Sequence, residues 1–457
     1  MTIESTRVRT LKDAPEHAEG RYVLYWMQSS QRAEFNPALE YALELANQRD
    51  LPLWVAFGLT DDYPEANARH YAFMLEGLAE VRRRLEARGI GFVLRHGAPD
   101  AVALELSRQA ALVVCDAGYL KVQRLWRRRL AEVLDRRLIR VEGDVVAPIA
   151  QVSTKHEYAA RTIRPRIQRI MDDYIVPLRT RPVARRAELD LGSDFDLDNV
   201  PAIVSGLRLD QACAPVKRFR GGEGEARDRL SRFIDQGLAD YGAGRGKPEA
   251  EVVSYLSPYL HFGQISPVEI ALAVRGSGRG APDSRATYLE ELIVRRELSI
   301  NHVWHSPDYD RYEALPDWAR ATLDAHADDP RPHIYTREQF EQACTHDRYW
   351  NAAMTEMKST GYMHNRLRMY WGKKILQWSE TPQQAFATVL ELNNRYLLDG
   401  RDANSYTNVG WIFGLHDRPW PTQPVFGTVR SMGPNTFKSF DADAYVAQVD
   451  RLRAAEA

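Results

Sequence analysis

Seven of the ten tryptophans, Trp304, Trp318, Trp350, Trp371, Trp378, Trp411 and Trp420, crowd into the last third of the chain. Indole is a costly core filler because its N–H wants a partner when buried, so this density points to a large aromatic core or to a function of the π-systems. Trp371 and Trp378 sit at i and i+7 in RLRMYWGKKILQW (366–378), about 10 Å apart on one helical face. Spacing alone favours a core stripe there. Other chemistry is thinly represented. The chain has no G-x-S-x-G elbow, no H-E-x-x-H helix and no P-loop, and the glycine-rich GGEGEA (221–226) and GAGRGK (242–247) do not follow a strand as a dinucleotide fingerprint does. His261, His302, His346, His364 and His416 are scattered, and their spacing predicts no metal site.

The elements that must position these residues fall into two halves. YVLYWM (22–27), LPLWVAFG (51–58), GIGFVLRHG (89–97), ALVVCD (111–116) and RLIRVEG (137–143) are short, apolar and bounded by turn residues, as strands are. Helical patterns alternate with them, which predicts a parallel sheet with helices on its faces over residues 20–148. From 149 to 225 the basic RTIRPRIQR, RTRPVARR and the polar DLGSDFDLDN predict a long interdomain connection. Residues 226–457 carry a 3.6-residue period almost throughout, including TYLEELIVRRELSINHVW and TREQFEQACTHDRYWNAAMTEMKSTG, and predict an α-helical domain.

A chain of 457 residues exceeds one ordinary core. Its 61 Lys+Arg against 62 Asp+Glu, a formal charge of −1, exclude a protein basic throughout, so any nucleic-acid site must be a local patch. Three dispersed cysteines, Cys115, Cys213 and Cys344, suit a reducing compartment. The polar N-terminus has no apolar signal core, and no stretch reaches the roughly 18 apolar residues of a membrane span. A cytoplasmic protein, nucleoid-associated or nuclear in a eukaryote, is expected.

Five motifs settle what spacing leaves open. In order, SYLSPYLHFGQISP (254–267), YLEELIVRRE (288–297), HDRYWNAAM (346–354), RLRMYWGKKILQW (366–378) and YLLDGRDANSYTNVGW (396–411) resemble the DNA photolyase and cryptochrome family, and most closely its class II cyclobutane pyrimidine dimer photolyases. The likeness runs nearly the whole chain, because YVLYWMQSSQRAEFNPALEYA (22–42) and HDRPWPTQPVFGTVRSMG (416–433) are similar too. It implies an N-terminal Rossmann-like α/β domain followed by an α-helical FAD-binding domain.

The resemblance also implies roles. Ser254, Tyr255, Leu256 and Ser257, opening a helix, would offer N–H groups and hydroxyls to the FAD diphosphate, although N-capping alone also accounts for the serines. Tyr241 and Arg245 match the family's Tyr-x-x-x-Arg. Arg368 and Asp399 match a salt bridge beside the isoalloxazine, Asn393 the asparagine facing flavin N5, and Asn404 a weaker flavin contact. Trp371, then Trp350, then Trp378 at the exposed end would carry an electron from solvent to the flavin, because indole can be oxidised transiently and leucine cannot. One departure stands out: the family commonly has Arg-Asn-x-Pro where this chain reads RGKP, placing Gly246 near the flavin.

For the lesion, which must be flipped out of the duplex, the resemblance assigns Glu291 to hydrogen-bond the dimer in its protonated form, Met369 to pack against it and Trp411 to stack on it. Arg295 stands where some class II members have a second stacking tryptophan, Arg418 and Arg430 match residues that fill the gap in the DNA, and Lys373 and Lys374 are expected to add phosphate contacts. The implied activity is light-driven repair. Reduced FADH− absorbs near-ultraviolet or blue light and passes an electron to the dimer; the ring splits and the electron returns. Double-stranded DNA containing pyrimidine dimers is the expected partner, a monomer the expected state, and a deazaflavin the antenna chromophore that class II relatives suggest. A cryptochrome photoreceptor and a flavoprotein unconnected with DNA are the alternatives, both disfavoured by the joint presence of Glu291, Met369 and Trp411.

Overall fold

The computed structural model describes residues 3–456. Strands β1 (Val8–Lys12), β2 (Tyr22–Trp26), β3 (Leu53–Leu59), β4 (Gly91–His96), β5 (Ala110–Asp116) and β6 (Leu138–Val141) form one sheet in the order β1-β6-β5-β2-β3-β4. All pairings are parallel except that of β1 with β6. Strand periodicity sends Val23 and Tyr25 to one face, under the Pro37–Gln48 and Ala68–Arg88 helices. Tyr22, Leu24 and Trp26 go to the other, under Pro99–Ser107 and Lys121–Val133. Both faces are covered, which is why β2, β3 and β5 read as continuous apolar runs. Topology follows from chain order: β2, β3 and β4 step outward one way and β5 and β6 the other, so β2 is the switch point.

Two features differ from the sequence reading. The sheet begins at Val8, not near residue 20, because β1 joins as an antiparallel edge. Its VRTLK is half exposed and charged, as suits an edge that must not pair further, and so carries no apolar signature. The connection is also more ordered than its composition predicts: RTIRPRIQR lies in a helix, Ala160–Tyr174, with Pro165 inside. A helical proline costs about 3 kcal/mol, and burial of Ile163, Ile167 and Tyr174 against the helical domain, roughly 1.5–3 kcal/mol each, offsets it.

The remaining helices pack into a second domain with its own cores. Among the described residues, no helix is long and apolar enough to cross a membrane. TREQFEQACTHDRYWNAAMTEMKSTG is two helices, Arg337–Glu341 and Arg348–Thr360. Asp347 caps the second by accepting from Tyr349 N and Trp350 N at 2.9 and 3.0 Å. Two segments, Phe233–Gly237 and Glu290–Arg295, are π-helical.

Buried polar groups clasp the halves together. Arg69 donates to Tyr396 O, Lys358 O and Met357 O at 2.8, 2.6 and 3.3 Å, reaching the C-terminal carbonyls of two helices of the second domain. Glu297 accepts from Val146 N and Ala147 N at 2.6 and 3.2 Å, and burial pushes its carboxyl up to about 7. The GGEGEA stretch also serves packing: a side chain at Gly221 would meet Phe73 O, and the Gly221 and Gly224 N–H groups donate to Glu76 and Glu80. Those donors are therefore spent on carboxylates, not offered to phosphate.

Candidate functional site

Three tryptophans form a continuous row in the core of the helical domain. The Asn365–Trp378 helix supplies Trp371 and Trp378, and Asp347 starts the neighbouring helix so that Trp350 falls in its first turn between them. Trp371 and Trp350 stack with centroids 6.4 Å apart and planes at 14°; Trp350 and Trp378 meet edge to face at 6.1 Å. Trp350 Nε1 donates to Trp371 O at 3.0 Å, while Trp371 Nε1 is buried without a protein partner. The order is the expected one, but Trp378 is not exposed: it is 3% accessible. Contact with the surface passes through Tyr335, at 5.8 Å, and the exposed His346, at 4.9 Å, whose hydroxyl and Nδ1 are hydrogen-bonded at 2.7 Å.

The same helix carries Arg368 and Met369 into the wall of a solvent-open cavity of about 2000 Å³. Arg368 pairs both of its terminal nitrogens with Asp399 at 3.0 Å and donates Nε to Met363 O at 2.7 Å. Burial works against the guanidinium charge, but Asp399 outweighs it and keeps the group above its ordinary value. Tyr241, Arg245, Ser257, Glu291, Arg295, Asn404, Trp411 and Arg430 line the same cavity. Glu291 sits on the π-helical Glu290–Arg295 turn, a distortion that often marks functional sites. Its carboxylate accepts from Arg245 Nη1 at 2.7 Å, so in this structure it is held by an arginine of the same cavity. Arg295 lines the cavity from an exposed position, 3.5 Å from Glu290.

Other expected residues lie off this wall. Asn393 is buried and turns its amide N–H toward Asn394 Oδ1 at 3.0 Å, because Asn394 organises the Arg401 turn. Leu256 is core, and Tyr255, at a left-handed φ of 53°, packs edge-on against the cavity residue Tyr362. Ser254 lies off the lining, near the buried Tyr288 hydroxyl. The helix opened by Ser257 is only Ser257–His261, so its dipole is small. No atom lies within 4 Å of a side chain built at Gly246, so packing does not demand glycine there.

His364 is a cavity residue that spacing did not single out. It caps the Asn365–Trp378 helix, its Nδ1 accepting from Arg366 N at 3.2 Å. That bond places the proton on Nε2, which is buried beside the Arg245 backbone without a well-formed hydrogen bond among the described residues. Burial first, then Arg368 and Arg366, push the imidazole down to about 4, so it stays a neutral donor.

At the rim, cations and indoles alternate. Lys373 lies 5.2 Å from the Trp411 ring centre and Arg430 5.8 Å; Arg430 is also 4.8 Å from Trp420, which has Arg418 at 5.4 Å on it. Arg430 and Arg418 are exposed, with Arg418 outside the cavity. Lys373 is fully buried and donates to Ile412 O, and burial lowers its ammonium to about 7. Lys374 is buried as well and donates to Gln377 Oε1 at 2.7 Å. Neither lysine is placed as a phosphate contact.

A second cavity opens at the C-terminal ends of β2 and β3, where strand order reverses and α/β folds bind ligands. Gln28, Thr60, Tyr63, Trp126 and His261 line it with Arg401, which is buried and, among the described residues, has no carboxylate partner and leaves Nε and Nη2 unpaired.

Residues 23–184 match the family model described as DNA photolyase. The chain is 44% identical over 453 residues to the deoxyribodipyrimidine photo-lyase of Methanothermobacter thermautotrophicus strain Delta H, with 99% of each chain covered. It is 36% identical to the deoxyribodipyrimidine photo-lyase of Potorous tridactylus, covering 93% of this chain and 81% of that one. A bacterial class III photolyase from Agrobacterium tumefaciens superposes with a TM-score of 0.74 at 21% identity, over 94% of this chain and 86% of that one, and shows the shared fold.

Proposed function

The chain belongs to the DNA photolyase family, and from that premise we propose a class II enzyme that repairs cyclobutane pyrimidine dimers in duplex DNA with light. What carries this reading is one cavity whose walls bring together the Arg368–Asp399 pair, Glu291, Met369 and Trp411, with the tryptophan row starting on the same helix.

The donor set fits FAD. Arg368, Arg245, Ser257 and His364 offer positive charge and N–H or O–H groups to an anionic, heteroaromatic ligand. When bound and reduced, as FADH−, the flavin supplies the photoexcited electron. Asp399 holds Arg368 oriented, so the guanidinium is rigid where charge must be balanced. Met369 and Trp411 give an apolar floor and a stacking surface for two adjacent, linked bases extruded from one strand. Glu291 reaches the same space once Arg245 releases it, and its carboxyl then serves the dimer. At the rim, Arg430 and Arg418 face the duplex. The cavity at the β2 switch point is assigned to an antenna chromophore; unpaired Arg401 selects a planar, electron-rich or anionic one, which a deazaflavin satisfies. A monomer suffices for these roles, since every residue named comes from one chain.

Repair is tested by mixing reduced holoprotein with a thymine-dimer oligonucleotide and following recovery of base absorbance in light and in darkness. Recovery in light alone is expected. Glu291→Ala should retain FAD and its spectrum while lowering the splitting yield several-fold, less than the roughly 2–4 kcal/mol of a full charge-stabilising contact because back electron transfer competes. Wild-type protein that holds FAD and never repairs under illumination would shift the reading to a cryptochrome.

A further inference from the structure

We propose that His156, His302 and His416 bind one divalent transition-metal ion of the zinc class. They come from three separate segments: the stretch before the Ala160–Tyr174 helix, the Arg296–His305 helix, and the turn after the Ala403–Ile412 helix. Their ring centres form a near-regular triangle of 5.1, 5.6 and 5.6 Å. One ligating nitrogen from each lies within 4.8 Å of the other two. Around a tetrahedral ion with Zn–N of about 2.0–2.1 Å, such nitrogens stand ~3.4 Å apart, a closure within reach of side-chain rotation.

Hydrogen bonding already prepares the third ligand. His416 Nδ1 donates to Tyr158 O at 2.9 Å, which leaves the lone pair on Nε2, and that nitrogen is buried without a partner among the described residues. A ring N–H held by a carbonyl is the usual support of a metal-bound histidine. His302 Nδ1 and His156 Nε2 share one hydrogen bond at 3.1 Å. On metal binding the shared proton passes to the outer nitrogen of its own ring, and both lone pairs turn to the ion. Simple histidine packing accounts for that pair but not for His416, whose buried acceptor is left orphaned. Its backbone is held at a left-handed φ of 58°, uncommon for a residue that is not glycine. Three nitrogens leave a fourth position for water. Because His416 also lines the large cavity and begins the segment bearing Trp420 and Arg430, the ion would pin that segment to the helix that follows Glu291.

The test titrates chelator-treated holoprotein with Zn²⁺ by calorimetry and with Co²⁺ by its visible d–d bands. One equivalent is expected. His302→Gln and His416→Asn, the latter keeping a residue that tolerates left-handed φ, should each weaken Kd at least 100-fold, while His346→Gln, in the separate exposed pair with Tyr335, should leave it unchanged. Chelated variants melting with wild type would show that both fold; if one does not, the other decides. Absence of stoichiometric binding in wild type, or equal loss in His346→Gln, overturns the site.

Discussion

The tryptophan row and the indole ladder at the rim use the same side chain under opposite conditions. In the row, Trp371 and Trp350 are dry and stack on each other with no cation over either ring among the described residues, and only the outer member, Trp378, has an ammonium near it, Lys374 at 5.5 Å. In the ladder, Trp411 and Trp420 are half-exposed and each has cations within 6 Å. A positive charge over an indole binds its π-face and opposes removal of an electron from it. On this ground Trp371 and Trp350 are the easier rings to oxidise and Trp411 and Trp420 the harder, a difference that composition alone could not have shown.

The sharpest break in this contrast is Trp371→Phe. Photoreduction of oxidised FAD by an external reductant should fall at least about 100-fold, while chemically reduced enzyme still repairs. Unchanged photoreduction in both Trp371→Phe and Trp350→Phe would reduce the row to packing. Lys373 tests the ladder through pH. Its folded value of about 7 lies below the unfolded ~10.4, so the unfolded chain binds the extra proton between those values. Lys373 therefore adds stability as pH rises through that window and withdraws it as pH falls toward 7. Relative to Lys373→Met, wild type should gain roughly 3–4 kcal/mol from pH 7 to pH 10 in denaturant melts; parallel profiles would place a charged ammonium under Trp411 throughout. Arg430→Ala, removed from between two indoles, should weaken binding of dimer-containing duplex about 10-fold, and Arg418→Ala, on the outer ring alone, about 3-fold. Both losses should be smaller on single-stranded dimer. Equal losses on the two substrates would make them ordinary phosphate contacts.

Much of this contrast was legible in the chain. Buried strands β2 to β6 announce themselves as apolar runs, and the Trp371, Trp350, Trp378 order and the Arg368–Asp399 pair were readable from motif likeness. What was not legible depends on distant partners. β1 reads as polar because only one of its sides pairs; Asn393 turns to Asn394 because the Arg401 loop needs that amide; Trp378 is covered by Tyr335 and His346 from another segment. The π-helical turn under Glu291 leaves no mark in a period of 3.6. His156, His302 and His416 share no spacing, since three folded segments bring them together.

Arg69 carries a consequence for how the chain is made. Its guanidinium is buried against carbonyls as far as 327 residues downstream, and at roughly 5–20 residues per second a ribosome needs about 20–60 s to deliver them. Until then the nascent α/β domain must keep this charge in water, leaving the end of the Ala68–Arg88 helix and the neighbouring Asn67 and His70 without the partners they find at Arg395 O and Leu397 O. The N-terminal domain is therefore expected to wait as an open, protease-sensitive intermediate during synthesis and to close only when the second domain arrives, so that the finished molecule melts in a single cooperative transition.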